Sequence, residues 1–240
     1  MEKQKIVIVG GSGTIGSAIA REILDEGFTP HIVGRNKELI QENARKLNCP
    51  YSIVDVLETE KLIECLAEID DVYGVAYCVG SIDLKPINLA KENDYLHSYK
   101  INTLGAIFAI KALLPKLKQN KGSILLFSTV AVQQGFNNHT IISTAKGALE
   151  GLTLSLAAEL SPNIRVNCIA PSLTESKMSQ TIISNEKIKK AIEDLHPIPK
   201  IGKANDYSKL SAFLLGKNNT WITGQIIHVD GGRSTVRKKS

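Results

Sequence analysis

The stretch IVIVGGSGTIGSAIA, residues 6–20, decides the architecture. Its first four residues are branched and apolar throughout, as expected of a strand covered on both faces. From Ile15 onward the period changes: Ile15, Ala18, Ile19, Ile23 and Leu24 recur on one helical stripe. Between the two patterns Gly11, Gly13 and Gly16 satisfy GxGxxG, and strand, glycine turn and helix together make that spacing meaningful. Glycines let the backbone approach a pyrophosphate, and a helix N-terminus presents unpaired N–H groups and the positive end of its dipole. The segment Gly10, Gly11, Ser12, Gly13, Thr14, Ile15 and Gly16 is therefore a candidate phosphate cradle; a tight turn without ligand is the alternative.

Outward from this unit the same alternation repeats. Strands are expected at 5–9, 31–33, 51–54, 72–77, 123–127, 165–169 and 225–229, with helical patterns between them. Strict alternation implies right-handed crossovers and an α/β fold, a Rossmann-type doubly wound sheet of seven parallel strands. A chain of 240 residues forms one such domain, 1–240, with no linker or repeat. Residues 172–200 are the least strand-like, and their helical pattern ends at His196-Pro197-Ile198-Pro199, which suits a flap over a site.

Composition narrows the function classes. The net charge of +5 is spread along the chain, apart from Arg237, Lys238 and Lys239, and leaves nucleic acid an unexpected partner. Cys49, Cys65, Cys78 and Cys168 show no paired or metal-ligand spacing, so reduced thiols and no metal are expected. No apolar run is long enough to span a membrane, and MEKQKIVIVGG reads as a strand with no cleavable signal, which points to the cytoplasm.

The second strand ends in HIVGRN. Folds of this kind place an acid there to hold the ribose hydroxyls of NAD; this chain has Gly34 followed by Arg35. A guanidinium pairs with a 2′-phosphate where a carboxylate repels it, so NADP is favoured, with NAD possible if Arg35 is an ordinary surface residue.

With these segments in place the chain resembles the classical short-chain dehydrogenase/reductase family over nearly its full length, and within it the carrier-protein ketoreductases. Asp55-Val56 is similar to the family's adenine-contacting pair, and YCVGS at 77–81 keeps Gly80 of a conventional Asn-Asn-Ala-Gly. INTLGAIFAIKALLPKL supplies Asn102 at the place of the helix asparagine. RVNCIAPS carries Pro171 with Ser172 in place of a glycine, and Ser176 stands where relatives hold the cofactor's nicotinamide end. TGQIIHVDGG, 223–232, matches the C-terminal strand and turn. The resemblance implies a small carbonyl or alcohol substrate and a homo-oligomer, tetramer or dimer. It also implies a catalytic set of tyrosine, lysine, serine and asparagine.

In NNHTIISTAKGALEG, 137–151, Lys146 takes the lysine's place, and one helical turn earlier the tyrosine's place holds Ile142. Thirteen residues before that, Thr129 stands for the serine. No tyrosine lies between 100 and 206, so no slip of register supplies one. Three readings follow. His139, three before Ile142, replaces the acid or base, unless it is a loop histidine bonded to backbone or capping the helix. Or the chain binds NADP without turnover, as a regulatory or scaffolding protein. Or it transfers hydride to an activated carbon–carbon double bond or imine. Cys78 reads as a small hydrophobe, Trp221 and Phe213 as core or subunit contacts, His228 as structural and His196 as a loop histidine on the flap.

Overall fold

The computed structural model describes residues 3–237, so Lys238 and Lys239 of the basic tail lie outside the described residues. Seven parallel strands form one sheet: β1 Lys5–Val9, β2 Thr29–Gly34, β3 Tyr51–Ile53, β4 Val72–Tyr77, β5 Ser123–Phe127, β6 Arg165–Pro171 and β7 Ile226–Val229. Their order is β3-β2-β1-β4-β5-β6-β7. The chain reverses its direction of winding between β1 and β4, so a crevice opens beyond the carboxyl ends of those strands. All seven expected strands are present. β2 and β6 run longer than their apolar letters suggest, because Thr29-Pro30 pairs with β1 and Ala170-Pro171 with β7.

Both faces of the sheet are covered, and the pleat sorts its side chains between them. Val7 and Val9 of β1 join Leu62 and Leu66 of α3 (Thr59–Ala67), Leu113 and Leu117 of α5 (Gly105–Gln119) and Leu149 of α6 (Thr140–Leu160). Ile6 and Ile8 face the opposite way, onto Ile19 and Ile23 of α1 (Thr14–Asp25) and Leu214 of α9 (Ala204–Leu215). α2, Lys37–Leu47, adds Ile40 to this second layer. The expected flap folds as two helices, α7 Gln180–Ile183 and α8 Glu186–Asp194, ended by the predicted proline breaker. No described helix is long and apolar enough to cross a membrane. The four cysteines are free, and no cluster of metal-ligating side chains occurs among the described residues.

Helix α4, Glu92–Tyr99, continues into a π-helical turn at Lys100–Leu104 before α5 begins. The wide turn is held from outside. Tyr77 Oη donates to the Ile101 carbonyl at 2.6 Å, and Thr103 Oγ1 donates to the Ala145 carbonyl of α6 at 2.7 Å. Gly105 gives the Tyr77 hydroxyl its room, since a Cβ there would stand 2.2 Å from that oxygen. Gly105→Ala is therefore expected to cost about 1–3 kcal/mol, as overpacking does, measured by urea unfolding. Adding Tyr77→Phe should recover part of the loss, because it removes the atom in closest conflict.

For two side chains one of the two expected roles remains. Trp221 is 95% exposed and Phe213 is exposed too, so neither fills the core of this chain. Phe213 lies on the outer face of α9, and Trp221 lies in the loop between α9 and β7.

Candidate active site

The phosphate cradle has the geometry its glycines require. Gly10 has φ of 88°, a left-handed conformation that glycine adopts freely. A Cβ on Gly16 would stand 2.4 Å from the Gly10 carbonyl oxygen, and one on Gly11 2.6 Å from Ile32 Cβ. The helix α1 starts at Thr14 after Gly13, with no side-chain cap and no acid in its first turn. Its leading N–H groups thus have no competing side-chain oxygen, which fits a pyrophosphate. Ser12 Oγ lies 3.2 Å from the Cβ position of Gly34, placing the cradle beside the end of β2.

Arg35 and Asp55 meet there. Arg35 Nη1 is 3.3 Å from Asp55 Oδ2, and Asp55 Oδ1 accepts from Leu57 N at 3.0 Å. Arg35 is mostly exposed, and an exposed ion pair is worth only about 0.2–1 kcal/mol. The fork can leave Asp55 for a stronger anion at little cost. Val56, buried beside Gly105, backs the π turn.

Three expected site residues converge at the end of β4. A Cβ on Gly80 would lie 3.1 Å from Asn102 Oδ1 and 3.3 Å from Lys146 Nζ, so only a glycine leaves this space open. Lys146 is buried in α6 and donates from Nζ to the Phe127 carbonyl at 2.8 Å. Burial pulls its pKa down to about 8, opposed by the fields of Cys168 and Cys78. Asn102, fully buried in the π turn, donates from Nδ2 to the Ser98 carbonyl at 2.9 Å and accepts from Ser81 N at 3.3 Å. Its amide thus ties the loop after β4 to α4. Cys78 is as expected: burial raises its thiol pKa to about 12, which leaves it unreactive.

The strand ends beyond β5 and β6 carry the next group. Thr129 is half-buried, and its Oγ1 accepts from Ala131 N at 3.3 Å, leaving the hydroxyl proton free to donate elsewhere. Val130 N donates to the Pro171 carbonyl at 3.0 Å, which sets Thr129 next to the segment Pro171-Ser172. Ser176 is bonded to Ser179, which itself donates to the Thr174 carbonyl at 2.6 Å.

Ile142 is 5% exposed at the start of α6, one turn before Lys146. His139 is the N-cap residue without a side-chain capping bond. Its Nδ1 lies 2.7 Å from the Asn137 carbonyl. A carbonyl only accepts, so Nδ1 carries the proton and Nε2 holds the lone pair of the neutral ring. The ring also stands edge-on to Phe136, with centroids 5.3 Å apart. The backbone bond anticipated for a loop histidine is thus present, and it leaves Nε2 as the basic nitrogen.

Sequence reasoning missed several contacts that only the fold creates. Ser172 Oγ and His196 Nε2 are 2.8 Å apart, while His196 Nδ1 donates to the Ile192 carbonyl at 2.8 Å. That makes His196, 2% exposed, the acceptor of the Ser172 hydroxyl and a tie between α8 and the segment that follows β6. Tyr95 Oη pairs with Thr140 Oγ1 at 3.0 Å, bringing a phenol to the start of α6 from another helix. The Arg233 guanidinium lies 4.6 Å over the Phe136 ring. A serine in the usual glycine's place was the only hint of the first contact; the others had none.

Comparison with known proteins agrees with this geometry. A family model described as enoyl-(acyl carrier protein) reductase matches residues 10–234. A tropinone reductase homolog of Arabidopsis thaliana is 32% identical, over 98% of this chain and 91% of its own length. A 3-oxoacyl-[acyl-carrier-protein] reductase of Chlamydia trachomatis is 28% identical, over 94% and 95%. Among solved structures, a short-chain type dehydrogenase/reductase from Mycobacterium ulcerans superposes with TM-score 0.91 at 23% identity, covering 99% of this chain and 92% of its own. ElxO, solved with NADP bound, has TM-score 0.88 at 26% identity, over 96% and 98%. The chain belongs to the classical short-chain dehydrogenase/reductase family, whose members are NAD(P)-dependent oxidoreductases.

Proposed function

We propose that this protein is an NADP-dependent oxidoreductase for a small carbonyl or alcohol, working without the family's usual tyrosine because Ile142 stands in its place. The observation that carries the reading is the convergence of Gly80, Asn102 and buried Lys146 at the crevice, in a chain whose phosphate cradle is intact. A bound dinucleotide would supply or take the hydride. The cradle from Gly10 to Gly16, with Ser12, Thr14 and Ile15, would hold its pyrophosphate, Asp55 and Val56 its adenine, and Gly80, Lys146, Pro171 and Ser176 its nicotinamide end. Arg35 at the end of β2 supports NADP over NAD, as does the NADP bound by ElxO.

In reduction, the Thr129 hydroxyl would donate to the carbonyl oxygen and polarise it. As general acid His139 would give a proton from Nε2 to that oxygen as charge develops; as general base in oxidation Nε2 would take it back. Lys146, with its lowered pKa, would hold the ribose and keep a cation near the developing oxyanion. Asn102 would fix the loop that carries Gly80 and Ser81. A homo-oligomer in the cytoplasm, with no nucleic-acid partner, completes the reading.

Direct titration tests the cofactor choice. Wild type is expected to bind NADPH more tightly than NADH, and Arg35→Glu to reverse that order with about a 100-fold change in the ratio of Kd values, the scale of a lost charge-assisted fork and a new like-charge contact. A ratio unchanged in Arg35→Glu removes Arg35 from the argument. Turnover on ketones, aldehydes and enones tests the chemistry. Tight NADPH binding with silence on every substrate favours the non-catalytic binder instead.

A further inference from the structure

We propose that Arg233 is an anion-recognition residue of the substrate pocket, so that the substrate is a carbonyl or alcohol that also carries a carboxylate or phosphate. The inference rests on the oxidoreductase reading above and adds its substrate class.

The guanidinium carbon stands over Phe136, 4.6 Å from the ring centroid, and the same ring meets His139 edge-on. Phe136 belongs to the loop that runs from Thr129 to the start of α6. One aromatic ring therefore links Arg233 to the histidine proposed to move the proton, across 94 residues of sequence. A cation–π contact holds a guanidinium over the ring without using its N–H groups, and these suit a two-oxygen anion.

Its own turn supplies the field of Asp230 but no ion pair. Asp230 is the nearest carboxylate in sequence, but its oxygens accept from Gly232 N at 2.9 Å, Ser234 N at 2.8 Å and Ser234 Oγ at 2.5 Å. No salt bridge to Arg233 occurs among the described residues, although the residue is half-buried. A partly desolvated cation that feels the Asp230 charge but makes no ion pair with it keeps its N–H groups available for an anion from outside.

The setting is the end of the segment 172–200, read above as a flap. Arg233 follows the carboxyl end of β7, and its turn is bound to the base of the flap: Ile198 N donates to the Gly231 carbonyl at 3.0 Å, and the Cβ position of Gly232 is 3.2 Å from Pro197 Cγ. Loop, C-terminal turn and flap meet there. The phosphate cradle lies on other strands, beyond β1, so this cation is separate from those expected to hold the dinucleotide.

The test uses matched pairs that differ in one anionic group: 4-oxopentanoate with its methyl ester, and dihydroxyacetone phosphate with dihydroxyacetone. Wild type saturated with NADPH should favour the anion of at least one pair in kcat/KM by about tenfold or more, the scale of one charge-assisted hydrogen bond. Arg233→Met, which keeps the packing on Phe136, should abolish that preference with NADPH affinity unchanged, and Arg233→Lys should restore part of it. The pair that responds separates carboxylate from phosphate. Calorimetry of the same four compounds against protein saturated with NADP+ gives an independent readout. Binding of an anion by wild type and its loss in Arg233→Met, with no turnover, upholds the anion site and overturns the redox reading. Equal turnover or binding of both members of each pair, an equal fall for both in Arg233→Met, or no binding of either anion overturns the anion site.

Discussion

Replacing His139 by alanine is expected to cut kcat by about 10²- to 10⁴-fold, the usual contribution of a positioned general acid or base, while the Kd for NADPH stays unchanged. The split follows from place and chemistry. His139 sits at the entrance to α6 rather than on the glycine turn, and its Nδ1 bond to the Asn137 carbonyl fixes Nε2 as the nitrogen that exchanges a proton. Ile142 offers neither donor nor acceptor, and the Thr129 hydroxyl is too weak an acid to complete the transfer alone. Ile142→Tyr in the His139→Ala background should restore turnover, because a phenol one turn before Lys146 would feel that cation. An active wild type whose rate is untouched by His139→Ala would falsify the assignment.

Lys146→Met should separate activity from stability. Turnover is expected to fall by about 10²-fold or more, since a preorganised cation at a developing oxyanion is commonly worth that much. Stability should move the other way at neutral pH. In the unfolded chain the amine keeps its ordinary pKa of 10.5, whereas in the folded chain burial lowers it to about 8. Below pH 8 both states are protonated, and the fold bears the full cost of the buried charge, on the order of 3 kcal/mol. Between pH 8 and 10.5 the unfolded state binds more protons, so wild-type stability rises with pH, and above 10.5 the cost is gone. Methionine has no such cost but gives up the bond to Phe127, worth about 1 kcal/mol. Urea unfolding should show the variant more stable at pH 7, with the advantage lost by about pH 10.5.

The architecture was readable because it repeats a simple local rule. Each β-branched run and helical stripe states its own period, and the glycines at 10–16 mark where one gives way to the other. Arg35 could be located from the end of its strand, and Asn102 and Lys146 from the resemblance of their segments to the family's motifs. The rest depends on contacts between distant segments, which leave no local mark. Nothing near Phe136 announces Arg233, and nothing near Ser172 announces His196, because a strand end, a flap and a C-terminal turn must first be stacked together. For Trp221 apolarity alone left core and subunit contact open, and its 95% exposure removes the core.

The π turn at Lys100–Leu104 is, in terms of phase, a helix with one residue too many. Each residue of an α-helix turns the next side chain by about 100°, so the extra one rotates everything after it by that angle relative to everything before. The two halves of what reads as a single helix from Glu92 to Gln119 can therefore present their faces differently, α4 toward α6 and α5 toward α3 and the sheet. Asn102 stands at the phase change. Deleting one residue from that turn would leave the helix shorter by a single step, yet would swing either α4 off α6 or α5 off β4.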